Sequence, residues 1–185
     1  PSSVVKELVE NSIDAKASKI DIFVIDGGRT LIEVKDNGVG MSKEDAIISI
    51  KRHATSKIRF DQDLFAIKTM GFRGEALSAI SSVSKFTLST NNDSLSSGTK
   101  LYCLNSEVIS IENCALPQGT DIKVEELFYN TPARLKYLKS DTSELSYVTD
   151  INDDYRLIAL DAMMYSPDTT DSGEAEQETG GKMSD

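Results

Sequence analysis

The chain has no tryptophan, one histidine, two cysteines and four prolines in 185 residues. Each scarcity removes a class of function. With His53 as its single histidine, metal centres built on His/Cys clusters have no ligand set, and any Ser-His-Asp or Cys-His nucleophile would have to use that one imidazole. Cys103 and Cys114 have neither metal-ligand spacing nor the density of a disulfide scaffold, so they are read as ordinary thiols, small and apolar or partly exposed, in a reducing, intracellular compartment. No run approaches the roughly 18 apolar residues of a bilayer span, and no leader pattern opens the chain. Basic residues are also short: 20 Lys+Arg against 30 Asp+Glu leave a net charge of −10. That excludes a protein coated in cationic surface for gripping phosphate backbones, although a local basic patch remains open.

Half of that negative charge lies in residues 166–185, which contain no aromatic and no β-branched apolar side chain. Such a stretch cannot bury enough surface to offset its chain entropy, and it is expected to be an acidic disordered tail. The rest has 39% apolar composition overall to draw on and is long enough for one packed domain.

A helix is expected from a cap at Ser2 or Ser3 to about Ala15, with Val4, Val5, Leu8, Val9 and Ile13 on its apolar half. Glu7, Asn11 and Asp14 form a polar row at i, i+4 and i+7, which taken alone reads as a solvated face. Two strand-forming runs, 19–26 and 30–36, flank Gly27-Gly28-Arg29 and predict a hairpin. Ser42 followed by Lys43-Glu44-Asp45 caps a second helix to about Arg52, and a polar loop covers 53–73. Gly74 opens a third helix. Strand candidates follow at 85–90, 99–104, 107–111 and 120–126, then a helix from Pro132, with Met163-Met164 as core filler on a late helix. Antiparallel runs with helices early and late predict an α+β two-layer sandwich, mostly antiparallel with helices on one face. Strict βαβ alternation and a Walker-type loop are both missing, which argues against a doubly wound nucleotide fold.

Six of the eleven glycines fall between Gly27 and Gly74. Four sit in two clusters: Asp36-Asn37-Gly38-Val39-Gly40-Met41 after a strand, and Gly71-Phe72-Arg73-Gly74-Glu75 before a helix. Either alone is readily a loop. Together they suggest more, because a glycine-rich entry to a helix offers N–H groups to phosphate. A carboxylate ending a strand can accept from an exocyclic amine. A Glu and an Asn one turn apart can supply a general base and a neutral oxygen for Mg²⁺. The pieces describe a nucleoside triphosphate site without a P-loop.

These residues resemble the ordered ATP-binding motifs of the MutL DNA mismatch repair family, closest to its bacterial members. The resemblance rests on Lys6-Glu7-Leu8-Val9-Glu10-Asn11-Ser12-Ile13-Asp14-Ala15, then Asp36 to Met41, His53-Ala54-Thr55-Ser56-Lys57, and Gly71 to Leu77. Phe128-Tyr129-Asn130-Thr131-Pro132-Ala133-Arg134-Leu135-Lys136-Tyr137 is similar to a signature particular to MutL. The family shares its superfamily, the GHKL or Bergerat ATPase fold, with type II topoisomerases, a heat-shock chaperone and sensor histidine kinases.

The resemblance implies roles residue by residue. Glu7 would be the general base and Asn11 the Mg²⁺ ligand. Asp36 would take the adenine amine, Gly38, Gly40 and Met41 would border the base, and Thr120 would reinforce that contact. Thr55, Ser56 and Lys57 would touch phosphates from a lid, and Arg73, Gly74, Glu75, Ala76 and Leu77 would wrap them. His53 is read as a hydrogen-bonded structural residue. ATP and Mg²⁺ are the implied cofactors. A nucleotide-dependent homodimer, a MutS-like mismatch recognition protein and other repair factors are the implied partners of a full-length parent, with no membrane. Arg134, Lys136 and Lys139 form a small basic face, read first as solvation and second as a weak DNA contact. The compartment implied is bacterial cytoplasm near the nucleoid, or the nucleus in a eukaryote.

Against the family pattern, the GHKL-type domain is expected over 1–152 without the family's first helix, with a divergent C-terminal helix at 153–165 and no second domain to donate a lysine to the γ-phosphate. This chain is therefore expected to bind nucleotide and hydrolyse it poorly. Two alternatives stand: a non-catalytic fragment that only binds partners, and the ATPase module of a topoisomerase or histidine kinase. The single histidine in the lid region and the 128–137 signature speak against the second.

Overall fold

A computed structural model describes residues 1–51, 75–155 and 163–164. The expected loop at 53–73, the helix start at Gly74 and the acidic tail lie outside them. The elements run α1 (Ser2–Asp14), β1 (Ile20–Ile25), β2 (Leu31–Asp36), α2 (Lys43–Ile50), α3 (Ala76–Ser82), β3 (Lys85–Asn91), β4 (Gly98–Leu104), β5 (Glu107–Cys114), β6 (Gly119–Glu125), α4 (Pro132–Leu135), α5 (Asp141–Tyr155) and β7 (Met163–Met164).

The strands form one sheet in the order β5-β4-β3-β6-β2-β1-β7. All pairs are antiparallel except β1 with β7. The α+β, mostly antiparallel architecture expected from the sequence is therefore observed. β6 is the keystone: it enters between β3 and β2, so residues near position 120 lie beside the end of β2. The β1–β2 pair is the glycine hairpin, closed by a 3₁₀ turn at Asp26–Gly28 in which Asp26, Gly27 and Gly28 all take positive φ.

One sheet face is apolar because the strands alternate. Ile20, Ile22 and Val24, then Ile32 and Val34, then Phe86 and Leu88, Leu101 and Cys103, and Ile122 and Val124 are buried. They join Val4, Val5, Leu8 and Val9 of α1 and Ala46 and Ile50 of α2 in one core. Cys103 lies inside it, where burial pushes its thiol up to about 11, while Cys114 is half-buried; both are free thiols, as expected. α2 is capped as predicted, with the Ser42 hydroxyl accepting from Asp45 N–H.

Three expectations are corrected. No side chain caps α1, whose N-cap position is Pro1 rather than a serine. Ile13 is exposed at 39% and Ser12 is buried in its place, because Ser12 bonds across to β2. Met163–Met164, expected on a helix, instead pairs in parallel with Phe23 and Val24 of β1. The expected helix from Pro132 is present as Pro132–Leu135, and a separate helix begins at Asp141.

The other sheet face mixes Phe23, Ile25 and Leu31 with a charged patch on β2 and β6. Glu33 pairs with Lys123 across β2 and β6 at 3.3 Å, and Lys35 stands opposite Asp121. Asp121 Oδ1 is buried with no hydrogen-bond partner. Burial, and then the negative Glu33 beside it, holds the Asp121 carboxyl above the usual carboxylate range. An acid raised in the folded state penalises folding when ionised, and that penalty fades as pH falls through its folded pKa. Asp121→Asn is accordingly expected to stabilise the fold at pH 7, by no more than about 1 kcal/mol given partial screening by water. Urea melts at pH 7 and pH 4.5 check it: the gain should shrink at the lower pH.

Candidate nucleotide site

The site is built where β2 ends. Asp36 is the last residue of that strand, and its carboxylate collects three donors. Gly38 N–H donates to Oδ1 at 2.8 Å, Ser12 hydroxyl donates to Oδ2 at 2.8 Å, and the backbone N–H of Thr120, its register partner on β6, also bonds the carboxylate. Burial raises the Asp36 pKa, while these three donors act against that rise. The result is a fixed acceptor group at the junction of α1, β2 and β6.

The glycines make this junction possible. A Cβ on Gly38 would stand 2.7 Å from the Ala15 carbonyl at the end of α1. On Gly40, which has φ +66°, it would stand 2.0 Å from the Asn91 carbonyl at the end of β3. The spacing that reads from sequence as a close approach to a ligand is thus first a close approach of the chain to itself. Met41 follows, and its N–H donates to Thr90 Oγ1 at 2.9 Å. Asn37 pins the other side of the loop, with its Oδ1 accepting from Ser18 N–H and Lys19 N–H.

Asp36, Gly38, Gly40, Met41 and Thr120 are therefore brought together as expected. Two residues absent from the expectation belong with them. Ser12 orients Asp36, and buried Thr90 joins Met41, Gly119 and Thr120. Ser12 follows Asn11 directly, a signal that was available in the sequence; Thr90 looks like any threonine in a strand.

Glu7 and Asn11 occupy the same helix that delivers Ser12. Glu7 is half-buried, and burial followed by repulsion from Glu10 raises its pKa above the usual glutamate value. Asn11 is exposed. No hydrogen bond among the described residues occupies either side chain. A neutral amide oxygen beside a polyphosphate is a fitting donor for Mg²⁺, which keeps most of its shell from water and phosphate rather than from a protein cage. No group of three or more His, Cys, Asp or Glu side chains among the described residues is placed to hold a metal ion.

Glu75, Ala76 and Leu77 stand at the start of α3, which packs on α2, β3 and β4. None of the hydrogen bonds among described residues ties them to Asp36 or Asn11. His53, Thr55, Ser56, Lys57, Arg73 and Gly74 lie outside the described residues. On the small basic face, Arg134 sits 6.0 Å over the Phe128 ring and Lys139 4.4 Å over Tyr147, so two of its three cations already have aromatic neighbours. No described helix is long and apolar enough to cross a membrane.

Comparison with known proteins accords with this geometry. A family profile described as histidine kinase-, DNA gyrase B-, and HSP90-like ATPase matches residues 1–131. DNA mismatch repair protein MutL of Lactococcus lactis subsp. cremoris is 56% identical over 151 residues, and MutL of Streptococcus pyogenes serotype M5 is 52% identical over the same length. Those matches cover 82% of this chain and 23% of each relative, so the chain spans about a quarter of their length. Among solved structures, the Aquifex aeolicus MutL ATPase domain complexed with ADP superposes with a TM-score of 0.66 at 32% identity, covering 90% of this chain and 59% of that one. The N-terminal domain of a DNA repair protein gives 0.70 at 31%, covering 90% and 50%. The chain belongs to the histidine kinase-, DNA gyrase B- and HSP90-like ATPase family, and to the MutL branch of it.

Proposed function

We propose that this chain binds ATP or ADP together with Mg²⁺, and that in a full-length parent ATP binding and slow hydrolysis work a conformational switch for DNA mismatch repair. The observation that carries the reading is the Asp36 carboxylate, held by Ser12, Gly38 and Thr120 beside the helix that carries Glu7 and Asn11. The ADP named in the Aquifex structure supports the ligand class.

In this reading Asp36 accepts the adenine amine, Gly38, Gly40 and Met41 border the base, and Thr120 completes the base contact. Asn11 would hold Mg²⁺ through its amide oxygen, and the ion would supply positive charge to offset that of the polyphosphate. Glu7 takes a proton from the attacking water. Thr55, Ser56, Lys57 and Arg73 to Leu77 contact phosphates. A MutS-like partner, a nucleotide-dependent homodimer and a cytoplasmic setting are proposed for the parent.

Titration calorimetry with ADP tests the reading. Asn11→Ala is expected to weaken binding by about tenfold or more in Mg²⁺, the scale of one charge-assisted contact, and to match the parent in EDTA. Equal heats for both proteins in Mg²⁺ would remove the metal assignment, and no heat from the parent would remove the reading altogether.

A further inference from the structure

Thr90 lies in β3, separated from Asp36 on β2 by β6, and is 1% exposed. Its hydroxyl stands among three partners. Met41 N–H donates to Oγ1 at 2.9 Å, the Gly119 carbonyl lies 3.0 Å away, and Thr120 Oγ1 lies 3.2 Å away. A hydroxyl has one proton and two lone pairs. The carbonyl can only accept, so the Thr90 proton goes to Gly119 O. The remaining contact then runs the other way, with the Thr120 hydroxyl donating to Thr90. That commits the Thr120 proton inward and leaves its oxygen as an acceptor.

Thr120 is the register partner of Asp36, and its N–H bonds the Asp36 carboxylate. Two acceptors therefore stand side by side: the Asp36 carboxylate and the Thr120 hydroxyl oxygen. We infer that Thr90 is a positioning residue for base selection, fixing Thr120 as an acceptor so that the pair selects an exocyclic amine and rejects a carbonyl at the same place. This rests on the nucleotide reading above and names its specificity. An aminopurine offers two N–H protons to two acceptors. A 6-oxopurine offers a carbonyl oxygen to the same two acceptors and leaves all three unpaired, which is how a polar site rejects a close isostere.

The experiment compares ATP with inosine triphosphate, which carries oxygen in place of the amine, on the parent chain and on two variants. Thr90→Val keeps the shape and loses the hydroxyl, freeing Thr120 to donate toward a carbonyl. Thr90→Ser keeps the hydroxyl. The parent is expected to prefer ATP. In Thr90→Val the ATP-to-ITP preference should narrow by about 3- to 10-fold, the size of one neutral hydrogen bond, while Thr90→Ser stays within about twofold of the parent. A purely structural role would weaken both nucleotides equally and leave the ratio unmoved, which overturns the inference. The ratio also collapses under that inference only if Thr90→Ser restores it, so equal narrowing in both variants overturns it too. If Thr90→Val does not fold, Thr90→Ala, which also lacks the hydroxyl, supplies the same ratio. Failure of the parent to bind ATP counts against the nucleotide reading instead, and so the two claims fail separately.

Discussion

Asp36→Asn is expected to lower the affinity for adenine nucleotides by about 10- to 100-fold while leaving the protein folded. The range is that of a hydrogen bond to a charged group, whose loss costs about 1.5–3 kcal/mol. The amide keeps one oxygen for the Gly38 or Ser12 donor but turns an NH₂ toward the rest, so the acceptor for a base amine is lost while much of the local frame survives. Asp36→Ala goes further. It strands Ser12 hydroxyl, Gly38 N–H and Thr120 N–H together, and an unpaired buried donor costs about 1–3 kcal/mol, so that variant should also melt early. Calorimetry and urea melts of the two variants therefore separate recognition from folding. The pH dependence has a definite sign. Burial raises the Asp36 pKa, and the ionised form is the better acceptor, so the parent's affinity should fall as pH drops through a value above the ordinary aspartate range. The Asn variant should lack that component. Wild-type affinity in Asp36→Asn at pH 7 would sink the assignment of this carboxylate to the base.

How much of this was readable in advance depends on how far apart the partners lie along the chain. The β1–β2 hairpin, the Ser42 cap and the Asp36-to-Met41 loop are local patterns of strand formers, capping residues and glycines, and the structure places them within a residue or two of expectation. Ser12 and Thr90 were missed for a shared reason. Ser12 bonds a residue 24 positions away, which matters only once α1 has packed on β2, and Thr90 bonds residues 29, 30 and 49 away, two of them on β6 after it has entered between β3 and β2. On a helical wheel Ile13 belongs inside and Ser12 at the margin. The hydrogen bond to Asp36, together with a second contact to Leu8 O at 3.1 Å, lets a hydroxyl be buried without an unpaired group, and the apolar neighbour turns outward. β7 is two residues long, and no periodicity can declare a strand of that length.

The glycine at the head of β6 provides the largest expected loss of stability. Gly119 has φ +137°, in a region that side-chain-bearing residues rarely enter, and a Cβ there would stand 2.0 Å from the Asp36 carbonyl oxygen and 3.0 Å from its carbon. Both obstacles are backbone, so no side chain can swing aside to make room. Asp36 is itself fixed by pairing to both β1 and β6. Gly119→Ala must therefore shift β6 against β2 or force a strained backbone, and either costs about 3 kcal/mol or more, several times the usual effect of a one-carbon change. The damage is directional. Moving the start of β6 carries Thr120 away from Asp36 and breaks the Thr90 bond to Gly119 O, so nucleotide affinity should fall in whatever fraction stays folded. Gly98→Ala offers a milder comparison on the same sheet: its Cβ would meet Thr90 O at 2.8 Å and Asn91 Cβ and Cys114 Sγ at 3.2 Å, against 2.0 Å at Gly119, and without a positive φ. It should cost less and leave Asp36 in place. Urea melts of the two variants with ADP present and absent read the difference; if Gly119→Ala unfolds within about 0.5 kcal/mol of the parent, β6 does not enter the sheet against Asp36 and the site loses the strand that completes it.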